Sequence, residues 1–418
     1  MEPSIRTRSA RVFQGDALEI LQALPADSVH CCATSPPYFG LRAYLQGKDR
    51  GREIGSEASP DAYIASLVAL FREVRRVLHP AGTLWLNLGD SYAVDPRKGA
   101  SGEGKNSAWL GDRQATRQTR KPLPEGLPQK NLMMIPARVA LALQADGWLL
   151  RSMIPWLKRN SMPTSAEDRP GTATEYVFLL TRSPDYFYDR VAVQRPISQP
   201  GRVQTTYRRP HKQQMATGPM ARGQEGFNHQ YEDPGRIWGN PEDRNRRDAD
   251  WWFESWQGLY QEEDEPLALP VNLTSYRGAH FATWPPKLVL PMIQAGTSQH
   301  GCCPACKAPW QRLVEKQRTA TRPGDDTKVQ GRASKEIGNR DPARHVTVLR
   351  TTGWQPTCKC PDHKPEPCVV LDPFTGSGTT GQVALEQGRQ FLGCELNPDY
   401  LPLIRERLNL GERRRGLR

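Results

Sequence analysis

The chain has 418 residues, a net charge of +12 and a pI near 9.3, and no apolar run in it approaches the ~20 residues of a membrane span. That length can bury a sizeable core and, at ~150 residues per domain, should hold two or three units. The basic balance favours a polyanionic partner, and the opening Glu2-Pro3-Ser4-Ile5-Arg6 is no signal peptide, so an intracellular protein is expected.

In chain order, Val12-Phe13 and the turn Gly15-Asp16-Ala17 begin an alternation of strand and helix signals. Val29-His30-Cys31-Cys32-Ala33 reads as a strand running into Thr34-Ser35-Pro36-Pro37-Tyr38. Residues 61–78 carry Ala65, Leu67, Val68, Phe71, Val74 and Leu78 at helical spacing and stop at His79-Pro80-Ala81-Gly82. Residues 83–88 read as a buried strand, 135–145 as a helix entered through Pro136, and 148–157 and 175–181 as two more strands. Near the end, Val369-Val370-Leu371 is a strand turning through Asp372-Pro373-Phe374-Thr375-Gly376-Ser377-Gly378-Thr379-Thr380. A helix over 380–388, a strand over 390–395 and a helix over 398–408 follow. This spacing predicts a doubly wound α/β sheet, and a glycine loop between strand and helix is how a nucleotide-like cofactor is held.

Three stretches fall outside that pattern. Residues 95–130 are polar and basic without apolar periodicity and read as a mobile loop leaving beside Asp90-Ser91-Tyr92. Residues 194–276 interleave Arg202, Arg208, Arg209, Arg244, Arg246 and Arg247 with Tyr207, Phe227, Trp238 and Trp251, a mixture suited to gripping base edges. The bland reading of Trp251, Trp252, Phe253 and Trp256, a small hydrophobic core, is preferred for those four. In the third stretch, Cys303 and Cys306 in one pair, and Cys358 and Cys360 in another, are separated by a long polar loop. Two close pairs of this kind fit a closed, structural tetrahedral zinc site, with Cys302, His363 and Cys368 as substitutes.

The serine turn and the glycine loop together resemble the amino-methylating DNA methyltransferases, which methylate an exocyclic base nitrogen with S-adenosylmethionine. Catalytic motif before cofactor motif marks the circularly permuted beta class. The resemblance implies a Rossmann-like methyltransferase sheet assembled from a catalytic half, 11–190, and a cofactor-binding half, 369–410. Between them it implies a target-recognition region over 191–276 and a cofactor-pocket segment over 277–300 that includes Phe281-Ala282-Thr283-Trp284-Pro285-Pro286-Lys287, while the cysteine pairs themselves mark a zinc-ribbon-like insert over 301–368.

The same resemblance assigns roles. Ser35, Pro36, Pro37 and Tyr38 form the catalytic turn. Asp372, Pro373, Phe374, Gly376, Ser377, Gly378 and Thr379 cradle the methionine part of the cofactor, Glu395 with Asn397 takes the ribose hydroxyls, and Asp16 lies near the adenine amino group. A conjugated amine has little lone-pair density, so acceptors such as the Ser35 hydroxyl and the Pro36 carbonyl must hold its protons. Tyr38 offers a face for a flipped base, whose extrusion from double-stranded DNA costs a few kcal/mol. Ring-carbon methylation is set aside, because the only Pro-Cys step, Pro367-Cys368, lies at the wrong end of the cofactor strand.

Serine at the first catalytic position favours cytosine N4, with adenine N6 as the alternative. An RNA or protein-amide methyltransferase and a non-catalytic zinc-containing DNA-binding protein are the rivals from other classes. The sequence leaves open whether the protein forms a homodimer and whether a restriction enzyme accompanies it.

Overall fold

The computed structural model describes residues 2–40, 53–93, 127–158, 168–169, 172–193, 269–271, 284–320, 345–361 and 364–415. The first half supplies strands β1 (Ile5–Arg6), β2 (Ala10–Gln14), β3 (Val29–Thr34), β4 (Leu78–Leu88), β5 (Leu149–Leu157) and β6 (Thr174–Thr181). Its helices are α1 (Ala17–Gln22), α2 (Pro60–Val77), α3 (Ile135–Ala145) and α4 (Arg190–Val193). Later come β7 (Leu269–Pro270), α5 (Pro286–Gly296), β8 (Trp310–Ala320), β9 (His345–Pro356), β10 (Val369–Asp372), α6 (Thr379–Glu386), β11 (Gln390–Glu395) and α7 (Leu401–Arg415).

Nine of the described strands join in one sheet, in the order β1-β2-β11-β10-β3-β4-β6-β5-β7. β2, β11, β10, β3 and β4 run parallel, while β6 is antiparallel to both β4 and β5. Every residue of β3 is buried, as expected for a central strand covered on both faces.

The helices divide between those faces. α2 shows how: Ser59 caps it by accepting from the Ala62 N–H, Pro60 sits in its first turn, and Tyr63, Leu67, Leu70, Phe71, Val74 and Val77 form its buried stripe. That stripe shares one apolar core with α1 and α3 through Ile20, Leu21, Ile135 and Val139. On the opposite face α5, α6 and α7 pack through Val289, Ile293, Val383, Leu385, Ile404 and Leu408. The connections leaving β3 and β10 therefore part to opposite faces of the sheet although the two strands are neighbours. A switch point of this kind opens a crevice at the carboxyl ends of the strands.

Some boundaries differ from the sequence reading. His79-Pro80-Ala81-Gly82 already belongs to β4 rather than to a loop, because Leu78 pairs with Val29. The final helix begins as a 3-10 turn over Pro398–Tyr400 and continues to Arg415. The polar stretch between the cysteine pairs contains an antiparallel hairpin, β8 with β9, where a loop was expected. Its ladder is satisfied by backbone pairing, so polar residues such as Gln311, Glu315 and Lys316 can stand exposed along β8 and the apolar signal is lost. Most of 95–130 and of 191–276, with Phe281, Ala282, Thr283 and His363, lies outside the described residues. Trp284 to Gly296 is covered: Leu288, Val289, Met292 and Ile293 are buried as α5 packs on the sheet.

Candidate active site

Asp372, at the end of β10, joins the two loops of the crevice. Its side chain is 1% exposed and uses both oxygens: Oδ1 accepts from the Thr34 hydroxyl (2.7 Å) and the Phe374 N–H (3.0 Å), Oδ2 from the Thr380 hydroxyl (2.6 Å). Burial pushes its pKa up to about 6, against the lowering effect of the two hydroxyls and the N–H. The carboxylate faces inward, so it ties the glycine loop to the serine turn instead of lining the open side of the loop.

The rest of the glycine loop is tightly seated. Gly376 and Gly378 have φ of 52° and 88°, and a Cβ on Gly378 would lie 3.2 Å from Ile404 Cα. A Cβ on Gly376 would meet nothing nearer than the Phe374 carbonyl oxygen at 3.9 Å, which leaves open space for a ligand against the backbone. Pro373, Ser377 and Thr379 are buried, Phe374 is half-buried against the core beneath α2, and Arg407 donates to the Thr379 hydroxyl.

Glu395 closes the loop from β11. Its Oε2 accepts from the Gly376 N–H (2.7 Å) and its Oε1 from the Asn397 N–H (2.9 Å). Burial raises its pKa to about 7, while those N–H groups pull it down. Each oxygen keeps a lone pair, so the residue can still accept from a diol. Asn397 in turn accepts from the Asp399 N–H (2.9 Å). Asp16 caps α1 by accepting from the N–H groups of Leu18 (2.8 Å) and Glu19 (3.2 Å), and Gly15 beside it donates to the Glu395 carbonyl (2.9 Å). The geometry thus gathers Asp16, Glu395, Asn397 and the glycine loop at one end of neighbouring strands. The open space at Gly376 and the remaining acceptor capacity of Glu395 fit S-adenosylmethionine.

The serine turn is held from several sides. Tyr63 of α2 donates to the Pro37 carbonyl (2.8 Å), and a Cβ on Gly89 would lie 2.6 Å from Tyr38 Cε2, so one face of the Tyr38 ring lies on bare backbone. The Tyr38 hydroxyl donates to Glu175 Oε2 (2.6 Å), and burial, then the charge of Glu175, pushes the phenol well above its usual pKa. Asn87 Nδ2 faces Ser35 Oγ (3.3 Å), the Tyr38 hydroxyl oxygen (2.9 Å) and Glu175 Oε2 (2.9 Å), and Lys158 pairs with Glu175 Oε1.

Sequence reasoning missed Asn87, Glu175 and Lys158. Asn87 carried a signal, a carboxamide inside the apolar run Leu84-Trp85-Leu86-Asn87-Leu88. Glu175 could not be found that way, because only the reversed direction of β6 brings its start to the carboxyl edge of β4. Residues 92–93 and 130–132 pair beside this edge, through Tyr92 with Leu132 and through Ala93 with Lys130 and Asn131.

The cysteines lie at the other end of the sheet. Sulfur atoms of Cys303, Cys306, Cys358 and Cys360 are all within 4.8 Å of one another. Four thiolates at ~2.3 Å from zinc stand about 3.8 Å apart, so this donor set fits the ion with a small contraction. The backbone N–H of Cys306, ahead of that of Ala305, points at Cys303 and lowers its thiol to about 7. The turn abuts the beginning of β3, where His30 Nε2 faces the Lys307 carbonyl (2.9 Å). Cys302 and Cys368 lie close to His30 as well, but its Nδ1 accepts from the Val369 N–H (3.0 Å). With both ring nitrogens engaged, that trio is a buried hydrogen-bonded cluster.

Residues 29–303 and 364–406 match the DNA methylase family N6_N4_Mtase. The chain is 34% identical to the Type II methyltransferase M.XycI of Xanthomonas campestris pv. cyanopsidis over 407 residues, 97% of this chain and 90% of that protein. It is 33% identical to M.Cfr9I of Citrobacter freundii over 404 residues, 97% and 89% of the two chains. With M.SmaI of Serratia marcescens the identity is 31% over 401 residues, 96% and 91% of the two. The extent of these matches, joined to a serine turn and a glycine loop on adjacent strands, means that the chain belongs to the S-adenosylmethionine-dependent DNA amino-methyltransferases of the N4-cytosine/N6-adenine family.

Proposed function

We propose that this enzyme methylates the N4 amine of cytosine in duplex DNA, as the modification partner of a Type II restriction system, and that it is of the permuted beta class. The bond between Thr34 and Asp372 carries the reading, since it sets the serine turn beside the glycine loop. Serine in place of the aspartate more usual for adenine supports cytosine. The names of the Type II relatives support the restriction setting. The order of the two motifs along the chain supports the permuted class.

When bound between the glycine loop and Glu395, S-adenosylmethionine would supply a methyl group activated by its sulfonium, with the neutral thioether as the leaving group. This chain's residues prepare the amine. Ser35 Oγ accepts from Asn87 and keeps a second lone pair for an N–H of the base, and the Pro36 carbonyl offers another acceptor. Drawing on those protons reshapes the amine toward a tetrahedral nitrogen, and the extra proton of the methylated nitrogen passes to water.

Mass spectrometry of nucleosides from unmethylated duplex DNA, after incubation with enzyme and S-adenosylmethionine, tests the target base. N4-methylcytosine is the expected product, and N6-methyladenine would overturn the cytosine assignment.

The cysteine cluster is proposed to hold one structural zinc ion, with no part in the chemistry, since it sits at the far end of the sheet. Metal analysis should find one zinc per chain. Chelation, or Cys358→Ser, should lower the thermal midpoint by roughly 5–10 °C while turnover of the folded fraction stays within about twofold. A loss of turnover without a loss of stability would count against a purely structural ion.

A further inference from the structure

We propose that Glu175 is the positioning residue of the catalytic turn, with Lys158 as its counter-charge. The two side chains are 12% and 17% exposed and pair across the ends of β6 and β5. The other Glu175 oxygen takes both the Tyr38 hydroxyl at 2.6 Å and Asn87 Nδ2 at 2.9 Å. Ser35, Tyr38, Asn87, Glu175 and Lys158 therefore form one chain of contacts across four strands of the catalytic edge.

The carboxylate decides which way Asn87 points. Turned over, the Asn87 carbonyl would face Glu175 Oε2, which has no proton to offer, and would be repelled by it. Held as it is, Asn87 presents N–H to Ser35 Oγ, so that the serine hydroxyl is occupied on one side and keeps its remaining lone pair for the substrate amine. The same carboxylate anchors the Tyr38 hydroxyl and, with Gly89 beneath the ring, fixes the plane on which a base would lie. Lys158 also lies over the Trp156 ring, 4.9 Å from its centre, which restrains the ammonium at the pair. Glu175 acts through Ser35 and Tyr38 and holds for either target base, so its role is independent of the cytosine assignment.

Single-turnover methyl transfer to unmethylated duplex DNA, counted as total methyl groups in DNA, measures this directly. Misplacing a catalytic group by about 1 Å can cost about 10²-fold, so Glu175→Ala should lower the single-turnover rate by up to about that factor, with the S-adenosylmethionine Kd within about twofold. Glu175→Gln keeps the shape but offers one acceptor oxygen, and if that oxygen serves Tyr38 and Asn87 its NH2 group opposes Lys158. The double variant Glu175→Gln/Lys158→Met removes that opposition and should recover about tenfold of the rate lost by Glu175→Gln alone. Full activity in Glu175→Gln, a double variant no faster than the single one, or equal losses of rate and cofactor affinity would each overturn the proposal. Total methyl counting separates this from the target-base question, because methylation at adenine would change the product and leave the variant ratios standing.

Discussion

Replacing Asp372 with alanine should destabilise the protein by roughly 3–5 kcal/mol and lower methyl transfer by more than about 10²-fold, read by denaturant unfolding and single-turnover assay. Two buried hydroxyls, Thr34 and Thr380, and the Phe374 N–H lose this acceptor at once, and with it goes a direct tie between the strand end that carries the serine turn and the glycine loop. Asp372→Asn keeps one oxygen and should lose less. It should also change the pH dependence of stability. Because burial raises the folded pKa of Asp372 to about 6 from 3.8, its contribution is full below about pH 4 and fades as pH rises through 6. Glu395, raised to about 7, acts in the same direction, so the asparagine variant should remove only the lower part of that decline. A variant whose stability declines between pH 4 and 6 as steeply as the parent would exclude Asp372 as the source.

Ser35→Ala is expected to act on chemistry alone. The hydroxyl meets Asn87 Nδ2 at 3.3 Å and also bonds with the Tyr38 hydroxyl, two contacts among polar groups that can rearrange, so stability should change by no more than about 1 kcal/mol. Removing an acceptor that shapes the attacking amine should cost about 10²–10³ in kcat, with cofactor affinity unchanged. Calorimetric titration with S-adenosylmethionine beside a steady-state assay separates the two. A parallel fall in affinity and kcat would mean that Ser35 shapes the cofactor loop instead of meeting the base.

Much of the candidate site's local geometry was legible in the sequence. Glycines at fixed places, two prolines after a serine and an acid at a strand end are local requirements, and local requirements are written in adjacent residues. The role of Asp372 was only half legible: its place at the end of a strand was clear, but its inward face depends on Thr34, which is 338 positions away along the chain. Asp16 was read as a cofactor residue through resemblance, and the structure shows its helix-capping bonds as well.

By itself the sequence determined the kind of fold, the two loops that meet at the carboxyl ends of neighbouring strands and the four cysteines that cluster. Strand periodicity, turn chemistry and close cysteine pairs are all short-range patterns. Only the tertiary structure decided that β10 lies beside β3, that β6 runs backwards and so delivers Glu175 to the carboxyl edge of β4, and that the cysteine cluster sits at the opposite end. Those placements follow from which strands pair and in which direction. Pairing is settled by burial summed over the whole sheet, a long-range quantity that no stretch of adjacent residues records.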